Sequence, residues 1–314
     1  MKDWIIKSDE IPGPYGKYPG ARSVEELISN GIIVLDKWQG PTSHDVTATI
    51  KKILNLNKTG HAGTLDPMVS GVLLVTLDNA CKVIPALQKL DKEYIGIMHM
   101  HKEVDYEKIK AVISKFLGNI EQLPPVRSAV ARKIRRRTIH SIDILDIKNK
   151  DILLNIKCEA GTYIRKLIDD IGKQIGGAHM SELRRIKAGR FDEKMAVRAQ
   201  DLLDAYIFWK ENGDETIKDF ILPVEASIEH LKKIIVKDSA VYAVSSGSPL
   251  YTGGISKIQK YIKIGEMVAL LTLKGELIAL ANATMTTDEM MKTKGLAAKT
   301  DRVIMQAGIY PKMR

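Results

Sequence analysis

Apolar positions along this chain of 314 residues fall into two rhythms. From Gly31, "IIVLD" predicts a strand and "QGPTS" a turn. From Ser43, a residue suited to cap a helix N-terminus, Val46, Ile50, Ile53 and Leu54 recur on one helical face. "GVLLVTL" (71–77) and "EYIGIMHMH" (93–101) predict strands, and 105–117 predicts a helix burying Ile109, Val112, Ile113 and Phe116, closed by Gly118. "QLPPV" breaks the chain. "ILLNIKCEA" then predicts a strand that leads into a helix from Thr162, with Ile164, Leu167, Ile168, Ile171 and Ile175 apolar and Gly176 and Gly177 ending it. Strands and helices intermix without strict alternation, which predicts an α+β fold with a mixed sheet.

The two ends have a different texture. Residues 1–30, with "IPGPYGKYPG", are rich in Pro, Gly and Tyr and show little periodicity, so they predict an extended arm that needs a surface to lie on. After about residue 225, short apolar runs alternate with glycine turns, as in "SSGSPLYTGG" and "EMVALLTLKGELIALANATM", where Lys274-Gly275 suits a hairpin. The expected organisation is an arm over 1–30, a main domain over 31–225 and a small β-barrel-like module over 226–314. The last boundary lies between Leu222 and Ile228.

Composition narrows the class. With 45% apolar residues the chain can fill a sizeable core, while 48 Lys plus Arg against 38 Asp plus Glu give a net charge of +10, which favours a polyanionic partner. Two cysteines, Cys81 and Cys158, are too few for a disulfide framework and lack metal-ligand spacing, so no zinc site is expected and a reducing, cytoplasmic compartment fits. "MKDWIIKSDE" lacks the apolar core of a signal peptide, and no apolar run approaches the roughly 20 residues that cross a bilayer. No membrane association is expected.

Candidate chemistry centres on "GHAGTLDPMVSGVL", where Asp66 lies beside a strongly apolar run. Such a charge must stay at the surface or find a partner, because burying it unpaired is costly. Pro67 pushes Asp66 towards extended backbone and Gly63 permits close approach, although an isolated Asp-Pro is more often a plain turn. Arg165, in the first turn of a predicted helix, stands where a cation is locally disfavoured, and its guanidinium suits a bidentate grip on a carboxylate. A solvated arginine is the competing reading. Tyr94 in "KEYIG" offers an aromatic face for a base, against the commoner role of a core tyrosine. Two basic concentrations, Arg127, Arg132, Lys133, Arg135, Arg136 and Arg137, then Arg184, Arg185, Lys187 and Arg190, suit phosphate contacts.

Taken together, "GIIVLDKWQGPTSHDV", "GHAGTLDPMVSGVL", "KEYIG", "PPVRSAVARKIRRR" and "AGTYIRKLIDDIG...GGAHMSELRR" resemble the TruB family of RNA pseudouridine synthases, and "IIVKDSAVYAVSSGSPLYTGGI" resembles its RNA-binding PUA domain. The likeness is greatest to the archaeal dyskerin branch, which lacks the lysine-rich tails of its eukaryotic counterparts. It implies a cofactor-independent enzyme that isomerises uridine to pseudouridine. It further implies a box H/ACA guide RNA, small H/ACA particle proteins and an rRNA or tRNA substrate as partners. A stand-alone tRNA enzyme and a catalytically silent RNA scaffold remain the alternatives. Carried over by motif, the catalytic aspartate falls on Asp66, the active-site tyrosine on Tyr94 and the aspartate-pairing arginine on Arg165. Leu183 matches a residue lining the uracil pocket, and Lys37 and His61 match further motif positions expected near the substrate. Trp38 departs from the family, which has proline after "LDK", and puts the geometry of that turn in question.

Overall fold

The computed structural model describes residues 3–124 and 133–313. In chain order the main elements are β1 (Trp4–Ile6), α1 (Val24–Asn30), β2 (Gly31–Lys37), α2 (Ser43–Ile53), β3 (Thr59–Ala62), β4 (Ser70–Leu77), α3 (Ile84–Gln88), β5 (Lys92–Met100), α4 (Tyr106–Ser114), β6 (Gly118–Gln122), β7 (Arg135–Lys148) and β8 (Asp151–Cys158). Then follow α5 (Ile164–Ile175), β9 (Ala178–Ala188), β10 (Phe191–Asp192), α6 (Ala199–Asn212) and β11 (Leu222–Pro223). The C-terminal part contains β12 (Lys232–Val236), α7 (Asp238–Ser245), β13 (Leu250–Tyr251), β14 (Ile255–Gln259), β15 (Met267–Leu271), β16 (Leu277–Ala283), α8 (Thr287–Lys292) and β17 (Leu296–Val303).

Among the described residues the larger sheet has ten strands in the order β11-β2-β4-β9-β5-β8-β7-β6, with β10 on β9 and β3 on β4. Strands β2 and β4 are buried along nearly their whole length, which is why they read as unbroken apolar runs. Strand β5 alternates, turning Lys92, Tyr94, Gly96, Met98 and Met100 inward. One face of this sheet forms a core with α2 and α5, including Leu35, Leu73, Tyr94, Ile168, Ile171 and Leu183.

The opposite face is covered by the C-terminal part. Ile32, Val34, Val72 and Leu74 share a core with Ala269, Leu271, Leu277 and Leu280. The smaller sheet runs β1-β14-β12-β15-β16-β17-β13 and has its own core around Val241, Ile258, Leu270 and Ile278. The N-terminal segment lies on it: Ile5 pairs with Ile258 as an edge strand, and Arg22 joins Glu225 in a nearly buried ion pair at 2.6 Å.

Three local expectations are corrected. Val24–Asn30, within the expected arm, is a helix started by a capping box between Ser23 and Glu26. The cap of α2 is Thr42, paired with Asp45, rather than Ser43. Helix α5 begins at Ile164 rather than Thr162, whose hydroxyl instead donates to the Glu159 carbonyl at 2.7 Å.

Candidate active site

The loop between β3 and β4 carries Asp66, and three side chains from separate elements hold its backbone. Lys37, fully buried at the end of β2, donates from Nζ to the carbonyls of Trp38 (2.9 Å), Pro67 (3.2 Å) and Val69 (2.8 Å). The Ser43 hydroxyl donates to the Leu65 carbonyl and accepts from the Leu65 N–H, both at 2.9 Å. Arg185, 1% exposed, donates from Nη2 to the Gly63 carbonyl at 2.9 Å and from Nε to the Val72 carbonyl at 2.6 Å. Both ends of the loop need glycine against this arginine. Gly63 has φ +82 and a Cβ there would stand 3.2 Å from Arg185 Nη1, while at Gly71, φ +100, a Cβ would lie 2.2 Å from the Arg185 carbonyl oxygen.

The loop thus presents Asp66 outward, and Arg165, in the first turn of α5, places Nη2 3.2 Å from Asp66 Oδ2. Beside them opens a cleft of about 690 Å³ lined by Met68, Leu123, Arg165, Met180 and Leu183, among others. Leu183 reaches it from β9, where the side chain is 7% exposed. An exposed carboxylate, a guanidinium that orients it and an apolar wall suit chemistry on a planar base and its sugar.

Tyr94 is a buried core residue rather than an open stacking platform, because the alternation of β5 turns it inward and leaves 8% of it accessible. Burial pushes its hydroxyl pKa up, and the nearby Arg185 charge opposes that shift. Arg185 stands opposite Tyr94 across β5 and β9 while holding the ends of the Asp66 loop. His61, half-buried, lies 3.3 Å from the Thr64 hydroxyl, and burial followed by the nearby Arg185 charge lowers its pKa, favouring the neutral ring. Burial likewise lowers the pKa of Lys37, with the Asp66 charge opposing it.

Several expected contacts change role. Lys37 is sealed beneath the loop and supports it instead of meeting substrate. Arg185 is buried and bonded to carbonyls, so it is no phosphate ligand. Arg184 is engaged by Asp36 at 2.9 and 3.1 Å and by Glu193 at 3.0 Å. Arg137 folds back, donating to the Arg136 carbonyl at 2.8 Å and lying over Gly161. Lys133 and Arg136 remain exposed and Arg135 is half-buried, while Arg127 and Arg132 lie outside the described residues. Trp38 itself is 42% exposed, and after it the Gly40 N–H donates to the Pro67 carbonyl at 2.9 Å, tying this turn to the Asp66 loop. Sequence reasoning missed Ser43 as a loop clamp and the buried Gln122 amide that bonds the Tyr163 backbone at the start of α5. "QLPP" was visible only as a chain break.

Comparison with known proteins shows the family. Residues 51–164 match the N-terminal domain of TruB family pseudouridylate synthase, 165–229 the C-terminal domain of tRNA pseudouridylate synthase B, 232–304 the PUA domain and 2–47 the DKCLD domain. The chain is 49% identical over 316 residues to the probable tRNA pseudouridine synthase B of Methanocaldococcus jannaschii, covering 99% of this chain and 94% of that protein. It is 50% identical to the protein of that name from Thermococcus kodakarensis, over 99% and 94% of the two chains. Among solved structures it superimposes on a chain of a Cbf5-Nop10-Gar1 complex with a TM-score of 0.93 and 48% identity, covering 99% and 96% of the two chains. It also superimposes on a chain of an H/ACA RNP bound to a substrate RNA containing 2'-deoxyuridine, with a TM-score of 0.91, 46% identity and the same coverage. With its aspartate, arginine and apolar cleft in one site and a PUA domain behind them, this chain belongs to the TruB family of pseudouridine synthases.

Proposed function

We propose that this protein is the catalytic subunit of a box H/ACA guide ribonucleoprotein that isomerises uridine to pseudouridine in ribosomal RNA, with Asp66 as the reacting carboxylate. The observation that carries the site assignment is the Asp66–Arg165 pair at the mouth of a cleft walled by Leu183. The reaction breaks the bond from the base nitrogen to ribose, turns the uracil and rejoins it through carbon, with a proton moving from that carbon to the freed nitrogen. Nothing is oxidised or reduced, so a carboxylate near the sugar and a closed pocket suffice. The target base must leave its stack at a cost of a few kcal/mol, which apolar contact with Leu183 and the accessible edge of Tyr94 offset.

Residues 31–225 carry the chemistry in this reading, and 226–314, with the N-terminal segment from Trp4 to Lys17 laid along it, hold RNA. The guide assignment draws on the H/ACA assemblies in which its structural relatives were solved, with Nop10 and Gar1 or with substrate RNA. A cytoplasmic location accords with two buried free thiols, Cys81 and Cys158. The second reading, a stand-alone tRNA enzyme, is favoured by the names of the relatives.

A reconstituted particle given two guides of different pocket sequence, and both matching substrates, separates the two. Modification should follow the guide. Equal modification of both substrates with either guide, or with none, overturns the guide-dependent reading in favour of the tRNA enzyme.

A further inference from the structure

Asp66 and Arg165 are both largely exposed, with side-chain accessibilities of 56% and 60%. An exposed ion pair is worth about 0–1 kcal/mol, too little by itself to fix the backbone positions from which its two side chains meet. On the Asp66 side the backbone is fixed by Lys37, Ser43 and Arg185. On the Arg165 side, the start of α5 is met by Gln122.

Gln122 ends strand β6 and is 3% exposed. Its side-chain carbonyl accepts from the Tyr163 N–H at 2.9 Å, and its amide group donates to the Tyr163 carbonyl at 3.1 Å. A backbone N–H only donates and a carbonyl only accepts, so the orientation of this amide is dictated by its partners. Tyr163 is the residue that caps α5, two positions before Arg165. Next in sequence, Leu123 and Pro124 line the same cleft as Arg165. One buried amide therefore joins the cleft wall to the first turn of the helix that carries the guanidinium.

We propose that Gln122 is a positioning residue for pseudouridine formation: it sets Arg165 against Asp66 and holds the Leu123–Pro124 wall at a fixed distance from that pair. The proposal rests on the reading of Asp66 and Arg165 as the reacting pair. A misplacement of about 1 Å costs on the order of a hundredfold in rate, so a buried hydrogen-bonded pair far from the reacting atoms governs turnover through geometry.

The test is single-turnover pseudouridine formation at saturating substrate in the reconstituted particle, with substrate affinity and melting temperature measured alongside. Gln122→Met keeps length and bulk but removes both hydrogen bonds. It should lower the rate constant about tenfold or more with affinity within about threefold, and should cost less than about threefold when introduced into Arg165→Lys, where the geometry it protects is already lost.

Gln122→Glu provides a second readout, which stands if Gln122→Met does not fold. A protonated glutamic acid restores both bonds and a carboxylate only one, so its rate relative to the unmodified protein should rise as pH falls. A Gln122→Met rate within about threefold of the parent, or an equal loss in both Arg165 backgrounds, overturns the proposal. So does a pH-independent Gln122→Glu ratio where that variant must decide. Turnover by Asp66→Asn in the same assay would instead refute the reading of the reacting pair, and is scored separately.

Discussion

Arg165 Nη2 lies 3.2 Å from Asp66 Oδ2 across a site where both side chains are more than half exposed. Because such a pair contributes little to folding, removing it separates function from stability. Asp66→Asn should abolish pseudouridine formation while RNA affinity stays within about threefold and stability within about 1 kcal/mol. Turnover assays beside urea unfolding check this, and substantial residual turnover would remove Asp66 from the chemistry.

The structure shows one contact, Nη2 to Oδ2, rather than the bidentate grip expected from sequence; Arg165→Lys keeps the charge but loses the planar guanidinium that reaches Asp66 from the start of α5. Its single-turnover rate should fall by about a hundredfold, with little change in melting temperature. Near-normal kinetics would mean that the guanidinium does not orient Asp66.

Arg185→Met removes the buried donors to Gly63 and Val72. Two carbonyls left without partners cost about 1–3 kcal/mol each, so chemical unfolding should show a loss of several kcal/mol. Activity should fall even at temperatures where the variant is fully folded, because the Asp66 loop loses its anchor. Unchanged stability would place the arginine outside the loop's support.

Lys92, 6% exposed, has its pKa lowered by burial to about 8. The folded state therefore releases this proton more readily than the unfolded chain. Its contribution is a penalty, full below pH 8 and relieved as pH rises towards the unfolded value near 10.5, on the order of 3 kcal/mol in all. Cys158, pushed up to about 12 by burial, acts in the opposite sense once pH passes its ordinary value of 9. The difference in unfolding free energy between the natural protein and Lys92→Met isolates the lysine: it should shift in favour of the natural protein from pH 8 to 10.5. A flat difference contradicts the assignment.

RNA affinity should fall steeply with salt. Neutralising exposed Lys133 and Arg136 together should flatten the dependence of log K on log salt by about 0.7 for each single-strand phosphate that these side chains no longer neutralise. Neutralising Arg137, folded back over Gly161, should disturb the turn before α5 instead. Equal slopes in all variants would place the phosphate-binding side chains elsewhere.

The elements that surround the site were legible where local chemistry and periodicity agree. The apolar runs of β2 and β4 and the one-sided apolar face of α5 follow from burial that each segment imposes on its own residues. Asp66 and Arg165 could be singled out because each is locally awkward, a carboxylate beside an apolar run and a cation at a helix start. Arg165 as a candidate partner and Tyr94 as a candidate aromatic face could be read from the residues too, whereas the family resemblance supplied their catalytic roles and Leu183.

Other features depend on partners distant in the chain. Strand β9, "AHMSELRRIKA", has too few apolar residues to read as a central strand and becomes one because β5 pairs along it and β4 joins it at Ser70 and Gly71. Arg184 and Arg185 are neighbours in sequence, yet alternation along β9 sends one to Asp36 and Glu193 and the other beneath the Asp66 loop, so a basic cluster on paper separates into two structural roles. Ser43 bonds across 22 positions to Leu65 and Gln122 across 41 to Tyr163. Charge and hydrophobicity are properties a residue carries in the sequence, whereas the partner of a buried donor is decided only when the sheet brings the two together.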